Sequence, residues 1–183
     1  MAIPVDPDAD LMLRIKKGDL KAFEDLMTRH QKAVFNLSYR YVGNAAAAED
    51  LTQDVFLKIY QARLQYKPVA KFKTWMYRIA VNTCLNAIRQ RRPTTALPEE
   101  DILHGNDSAT PGRQSDTHEL QAAVRLALQT LPGNQRMAVI LTQFEDQSYD
   151  HAAEVIGVSV PALKSLIVRA KENLAQQLGK WTE

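Results

Sequence analysis

The sequence predicts an all-α fold of two small helical domains joined by a flexible linker, the C-terminal domain being a helix-turn-helix. Apolar residues recur at steps of three and four in both parts of the chain, whereas no segment keeps the two-residue alternation of a strand. A segment rich in proline, glycine and acidic residues separates the two parts. We therefore place the domains at residues 1–93 and 118–183, with an acidic linker at residues 94–117.

The first domain begins with helices whose ends are marked by capping residues. Asp10 is expected to cap a short helix that Gly18 ends, and Asp19 to cap a long second helix. The second helix should run to Gly43, after which Asn44 can cap a third helix.

The third helix is expected to bury Leu51 and Phe56 and to expose an acidic face. Asp50 and Asp54 lie four residues apart on that face, with Gln53 beside them, which could indicate a metal site or an acid pair. No histidine lies near them in sequence, and the amide of Gln53 is a poor ligand. A solvated face or a protein-docking surface is therefore favoured.

A strongly basic stretch runs from Val55 to Pro98. It holds nine lysine and arginine residues and no aspartate or glutamate, in a chain whose formal net charge is +2. Charge segregated in this way indicates a nucleic-acid surface. A fourth helix is predicted inside the stretch, from Thr74 to Arg91, and Pro93 ends it.

Polar and aromatic side chains are interleaved along this fourth helix. Arg78, Asn82 and Asn86 follow one another at steps of four, so they share one face. Amides can read the edges of unpaired bases, and Trp75 or Tyr77 can stack where a duplex opens. The alternative is that both aromatic residues belong to the core and that the amides are only solvated.

The second domain ends in a unit with helix-turn-helix spacing. Ala153 is small where two helices cross closely, and Gly157 allows the positive φ of a tight turn. Leu163 and Leu166 can then hold the second helix against the first. The residues expected to contact duplex DNA are Ser159, Ala162, Lys164, Ser165, Val168, Arg169 and Lys171. The alternative is an ordinary helical hairpin with a solvated basic face.

Several classes of protein are disfavoured. Cys84 is the only cysteine, which excludes an intramolecular disulfide and a thiolate metal cluster within one chain. The four histidines are scattered, and no nucleophile with its base and no glycine-rich phosphate loop is present, so we predict no enzyme, no catalytic residue, no metal and no cofactor. An acidic N-terminus and the lack of a long apolar run predict a cytoplasmic protein that is not inserted in a membrane.

Three segments together resemble the bacterial extracytoplasmic-function sigma factors: Ala48–Leu57, Phe72–Asn82 and Ser148–Ser165. The resemblance runs from about Leu11 to Leu178 and includes both domains in the family's order. It implies a promoter-specificity subunit that binds core RNA polymerase and has no catalytic activity of its own. An anti-sigma factor is expected to hold such a protein inactive by covering its binding surfaces.

The resemblance also assigns roles to residues. The acidic helix would dock on the clamp helices of the largest polymerase subunit through Asp50, Leu51, Gln53, Asp54 and Phe56. The basic helix and the loop before it would capture the downstream promoter element as its non-template strand melts, through Lys67, Lys71, Phe72, Lys73, Trp75, Tyr77, Arg78, Asn82, Asn86 and Arg89. The helix-turn-helix would bind the upstream element as duplex, and the linker would thread the RNA path of the polymerase.

The chain departs from the family at Leu166, where an arginine is frequent, and at Met76, where leucine is common. Two other functions compete with a sigma factor. A stand-alone helix-turn-helix regulator would bind palindromic duplex DNA as a dimer and would have no use for the acidic helix. A protein-binding helical adaptor would tolerate the replacement of Arg169 by alanine.

Overall fold

The computed structural model describes residues 6–90 and 115–179, and every regular element in these ranges is helical, as the sequence predicts. We call the two ranges the first and the second half of the chain. A short 3₁₀ turn, Ala62–Leu64, follows α3, and a π-helical turn, Ile140–Phe144, follows α6. The helices are α1 (Pro7–Lys16), α2 (Leu20–Val42), α3 (Ala45–Gln61), α4 (Phe72–Gln90), α5 (Ser115–Thr130), α6 (Gly133–Val139), α7 (Tyr149–Ile156) and α8 (Val160–Leu178).

The predicted linker lies outside the described residues except for its last three positions. These positions form the first turn of α5, which therefore begins at Ser115, before the predicted domain boundary at residue 118.

The first half packs α1, α3 and α4 around the long helix α2. Its core includes Leu26, Leu37, Ile59 and Met76, all at most 1% exposed. The predicted caps of the second and third helices are confirmed: Asp19 accepts a hydrogen bond from Ala22 N, and Asn44 accepts one from Ala47 N. Both bonds join residues only three positions apart. Gly43 ends α2 with φ 73°, a left-handed conformation that glycine adopts without a steric penalty.

The predicted cap of the first helix is wrong. α1 begins at Pro7, its N-cap is Asp6, and Asp10 lies exposed within the helix. Asp6 Oδ1 accepts from Asp8 N at 3.1 Å, and Asp6 Oδ2 accepts from Phe72 N at 2.7 Å. One carboxylate thus binds a backbone N–H at the start of both α1 and α4. The second bond lets α4 begin at Phe72 rather than at Thr74.

In the second half, α7 and α8 form the predicted helix-turn-helix. Ser148 and Ser159 cap the two helices, and Gly157 turns the chain between them with φ 81°. The two helices are bent by 96° relative to each other. On α8, Leu163 and Ile167 are buried in the core and Leu166 is partly buried against it. In the described part of the chain no single helix is long and apolar enough to span a membrane; α7 and α8 meet that criterion only when counted together across their bend.

The two halves meet, and most of their buried apolar residues belong to one hydrophobic cluster that spans both. Leu128, Leu131, Val139 and Ala170 form a smaller, separate cluster within the second half. We call the region where the halves meet the junction, and Arg136 of α6 lies in it. Its guanidinium donates across the junction to Tyr41 O at 2.6 Å. Within the second half it donates to the carbonyl oxygens of Gln129 and Leu131 at 2.6 and 3.1 Å. A Cβ atom added to Gly133 would lie 2.7 Å from Tyr41 Oη. The junction therefore needs glycine at this position.

We expect Asp6→Ala to lower the free energy of unfolding by about 1 to 2 kcal/mol, because it removes a helix cap and leaves Phe72 N without its partner. Urea denaturation of the full chain would measure the loss. Asp10→Ala is the matched control and should change stability by less than about 0.5 kcal/mol. Equal losses from the two substitutions would contradict this assignment of the cap.

Candidate nucleic-acid and polymerase surfaces

One side of α4 carries an exposed row of basic and amide side chains, which we call the α4 stripe: Lys71, just before the helix, then Arg78, Asn82, Asn86 and Arg89. Steps of seven, four, four and three residues place these groups along one face, on which the sequence predicts Arg78, Asn82 and Asn86. Lys73 is also exposed, and its ammonium lies 5.6 Å from the centre of the Tyr77 ring. The stripe offers positive charge to phosphates and amide groups to base edges.

Aromatic rings pack beneath the start of α4. Tyr66 meets the ring of Trp75 edge-on at 5.0 Å, and Phe72 lies 5.9 Å from Trp75. Phe72 is completely buried, whereas Trp75 is partly exposed. The structure thus gives Phe72 a packing role below the surface and leaves Trp75 at its edge.

A pocket opens beside this aromatic cluster. Its walls are formed by the loop before α4 and by the helix itself: Tyr66, Lys67, Val69 and Ala70 of the loop, then Thr74, Trp75 and Arg78 of α4. Glu154 of α7 completes the wall on the side of the second half. Lys67 in this loop is exposed, so the pocket has a cation at its rim beside apolar walls.

The acidic face of α3 lies on a different surface. Asp50, Gln53 and Asp54 are exposed, whereas Leu51 and Phe56 are 7% and 2% exposed. The two apolar residues therefore hold the helix in the core and do not present a docking surface themselves. The described residues contain no group of three histidine, cysteine, aspartate or glutamate side chains that could hold a metal ion.

The outer face of α8 is exposed along its whole predicted recognition surface. The exposed residues are Ser159, Ala162, Lys164, Ser165, Val168, Arg169 and Lys171. Ser159 Oγ accepts from Ala162 N, so this side chain acts as the helix cap, and Ser165 Oγ donates to Pro161 O. Leu166 packs against the core, so the position at which the family frequently has arginine has a packing role here.

The junction between the halves lies against part of the α4 surface. Glu145 accepts hydrogen bonds from Arg40 Nη1 at 2.6 Å and from the Tyr77 hydroxyl at 3.0 Å. Tyr77, predicted to contact DNA, is only 2% exposed. Burial and the neighbouring carboxylate raise the pKa of Tyr77, and burial raises the pKa of Glu145 despite its two hydrogen-bond donors.

Helix α7 makes two further contacts with α4. The imidazole of His151 lies with Nε2 3.0 Å from Thr74 Oγ1, and its Nδ1 bonds to the side-chain oxygen of Gln147. Arg78 donates to Glu154 at 3.2 Å, and both side chains are about half exposed. Of the residues predicted to bind the downstream element, Tyr77 and Arg78 thus contact the second half.

Sequence reasoning missed Glu145, His151 and Glu154, because their partners lie between 68 and 105 residues away in the chain. No local pattern identifies such pairs. The N-cap Asp6 was also missed, but an aspartate followed directly by proline is a helix-start signal that could have found it.

The packing of the halves should depend on pH through His151. Burial lowers the pKa of His151 from its ordinary value of 6.5; Glu154 opposes this effect, and Lys73 and Lys71 add to it. The packed state therefore prefers the neutral imidazole, and its stability falls as the pH drops below about 6.5 toward the lowered pKa. Glu145, whose pKa is raised from 4.5, acts in the opposite sense, because its protonated form is favoured in the packed state and this contribution is lost as the pH rises through the raised pKa.

We expect the urea midpoint of the full chain to be lower at about pH 6 than at about pH 7.5, because His151 then binds a proton more readily in the unfolded chain than in the packed one. In His151→Gln, which retains a polar side chain near Thr74, this difference should shrink. An unchanged difference would assign the pH dependence to another group.

Two family models match the chain, one in each half. The model described as "Sigma-70 region 2" matches residues 26–94, and that described as "Sigma-70, region 4" matches residues 121–174. Among curated proteins, the RNA polymerase sigma-H factor of Pseudomonas aeruginosa is 33% identical, with 94% of each chain covered. The ECF RNA polymerase sigma-E factor of Haemophilus influenzae is 34% identical, covering 93% of this chain and 95% of that protein.

Solved structures agree with these matches. CnrH, solved in complex with the cytosolic domain of CnrY, is 26% identical and has a TM-score of 0.70, covering 94% of this chain and 97% of that one. The sigma factor RpoE of Bartonella quintana, solved with the anti-sigma factor NepR, shares the fold at a TM-score of 0.66 and 23% identity, covering 87% of this chain and 98% of that one. The chain belongs to the sigma-70 family, in its extracytoplasmic-function branch, and is a sigma factor that directs core RNA polymerase to promoters.

Proposed function

We propose that this sigma factor divides its work among three separate surfaces. The observation that carries the proposal is the separation of charge in the fold: an exposed acidic face on α3, a basic and amide stripe on α4, and an exposed basic face on α8. Surfaces of different charge and shape suit different partners. In our assignment α3 binds polymerase, α4 binds the melted downstream element, and α8 binds the upstream duplex.

The acidic face of α3 is the polymerase-docking surface in this proposal. Asp50, Gln53 and Asp54 present two carboxylates and an amide to solvent, whereas the opposite side of the helix is anchored in the core. A rigid, charged helix face gives specificity and speeds encounter with a partner of opposite charge. The same charge would repel DNA, which keeps nucleic acid off this side of the molecule.

The α4 stripe and its pocket form the strand-capturing surface. Melting a duplex costs a few kcal/mol per unstacked base step, which cationic contacts and a pocket for an extruded base can offset. Asn82 and Asn86 are exposed and supply the amides that we assign to base reading. Lys67, Lys71 and Arg89 supply phosphate contacts, and Trp75 lies at the pocket wall where a base can stack.

The outer face of α8 is assigned to the upstream element as duplex DNA. A helix capped by Ser159 and held at 96° to its neighbour projects Lys164 and Arg169 as a recognition helix does in a major groove. Ser165 and Val168, also exposed, can add a short hydrogen bond and an apolar contact.

The remaining assignments follow from this division of labour. We propose that residues 1–93 and 118–183 act as the two functional domains, with residues 94–117 as the linker, and that the chain has no catalytic activity of its own. Because its proposed partner, core RNA polymerase, acts in the cytoplasm, we propose that the chain also acts there. An anti-sigma factor is its expected inhibitor, since the RpoE relative was solved with one.

We expect Asp54→Lys to weaken binding to core RNA polymerase about tenfold or more, because it puts a cation at the centre of the acidic face. Co-elution of the purified chain with core polymerase on a sizing column would measure this. Glu172→Lys, an exposed acid in the second half, is the matched control and should co-elute as the parent does. If the parent itself forms no complex when free of any inhibitor, a stand-alone regulator becomes the better explanation.

The two DNA-binding surfaces should fail differently when mutated. With polymerase present, Arg169→Ala should reduce binding to promoter duplex, and Asn82→Ala should reduce strand opening while leaving duplex binding intact, each about fivefold or more. Filter binding and permanganate reactivity would measure the two steps. Lys32→Ala, an exposed cation on α2, serves as control. Equal losses in both steps from both substitutions would contradict the division.

A further inference from the structure

The second half of the chain covers part of the surface that captures the melted strand in our proposed function. Three successive contacts join α4 to it: Thr74 with His151, Tyr77 with Glu145, and Arg78 with Glu154. Glu154 also forms a wall of the pocket beside Trp75. Two carboxylates thus lie at the position where a phosphate backbone would have to approach.

The backbone that carries Glu145 has an unusual conformation. The chain widens into a π-helical turn over Ile140–Phe144, and Glu145 N donates to Ile140 O at 3.1 Å. Asp146 follows with φ 49°, and among the described residues it is the only non-glycine residue with positive φ. Both features are uncommon and mark functional positions in many proteins. Here they direct the Glu145 carboxylate towards Arg40 and Tyr77.

The contact is reinforced away from the α4 stripe. Arg136 bonds to the backbone oxygen of Tyr41, and Gly133 allows α6 to approach the Tyr41 hydroxyl closely. Arg125 donates to the Tyr39 hydroxyl at 2.8 Å, and Gln129 donates to Arg40 O at 3.2 Å. The halves therefore meet through a shaped, hydrogen-bonded junction.

The other two binding surfaces stay exposed in the same arrangement. Asp50, Gln53 and Asp54 face solvent on α3, and Lys164 and Arg169 face solvent on α8. The junction therefore covers part of the strand-capturing surface and leaves these two other surfaces exposed. A sigma factor in this state could still bind polymerase and duplex DNA.

We infer that this arrangement is a self-inhibited closed state, in which Glu145, His151 and Glu154 cover the part of the strand-capturing surface around Thr74, Tyr77 and Arg78 and must move away before the melted strand can bind there. The inference rests on the proposed role of α4 in strand capture. Glu145 contributes most to closure, because its side chain is only 10% exposed and accepts hydrogen bonds from two first-half residues, Arg40 and Tyr77. The half-exposed pair of Arg78 and Glu154 contributes little to closure.

Domain separation can be measured without DNA. Spin labels on Lys32→Cys and Gln176→Cys, both exposed and in different halves, report the distance by double electron–electron resonance; Cys84 is completely buried and stays unlabelled in the folded chain. We expect a narrow distance distribution in the parent. Glu145→Lys should lengthen and broaden it because an ammonium group then faces Arg40. Glu172→Lys adds the same charge change away from the junction and should keep the narrow distribution.

A second variant opens the junction without a change of charge. Gly133→Ala places a methyl group against Tyr41 Oη and should broaden the distances in the same way. Helical content measured by circular dichroism shows that each variant is folded. If Glu145→Lys does not fold, Gly133→Ala carries the test.

Binding is then measured with a fluorescent pool of random-sequence single strands and a matched duplex pool. Opening should raise single-strand affinity about fivefold or more in Glu145→Lys and Gly133→Ala, whereas duplex affinity should stay at the parent's level in Gly133→Ala, which changes no charge. A broad distribution already present in the parent would overturn the closed state. If the spin-label distances lengthen in these variants but single-strand affinity does not rise, the halves do separate, yet their contact does not inhibit binding. That result would overturn both the inhibition and the role of α4 in strand capture.

Discussion

The guanidinium of Arg136 holds the two halves of the chain together. It is 7% exposed, and no carboxylate among the described residues forms an ion pair with it. Its hydrogen-bond partners include the backbone oxygens of Tyr41, Gln129 and Leu131, near the C-terminal ends of α2 and α5. Helix C-terminal ends carry partial negative charge and unpaired carbonyl groups, so one cation satisfies both. Burial lowers the pKa of Arg136, but an arginine so placed stays charged. The position of α7 over α4 depends on this junction.

Charge is distributed so that each partner meets a surface of its own. The basic residues of the α4 region and of α8 lie on different surfaces from the acidic face of α3, which explains how a chain of formal net charge +2 can serve a DNA-binding function. Neither DNA surface needs to bind tightly by itself. Two weak sites held on one polymerase act at high effective concentration towards the same promoter.

The junction and the strand-capturing surface share residues, and this links regulation to mechanism. Tyr77 cannot stack on a base while its hydroxyl is bonded to Glu145 and its ring is buried. Arg78 can bind a phosphate or Glu154, but the two anions compete for the same guanidinium. Protonation of His151 and of Glu145 biases the junction in opposite directions, so closure is expected to depend on pH in more than one step.

The sequence by itself determined the helices, the helix-turn-helix and the family, because these depend on contacts between near neighbours in the chain. Asp19, Asn44 and Gly157 each act within four residues of their own position, and the structure confirms all three. The first cap was assigned to Asp10, whereas the structure places it at Asp6. Asp6 also accepts a hydrogen bond from Phe72 N, 66 residues away, and α4 begins at that residue; no local pattern predicts this bond. Only the tertiary structure decided which predicted site residues are covered, because the pairing of Glu145 with Arg40 and Tyr77 depends on how the halves pack.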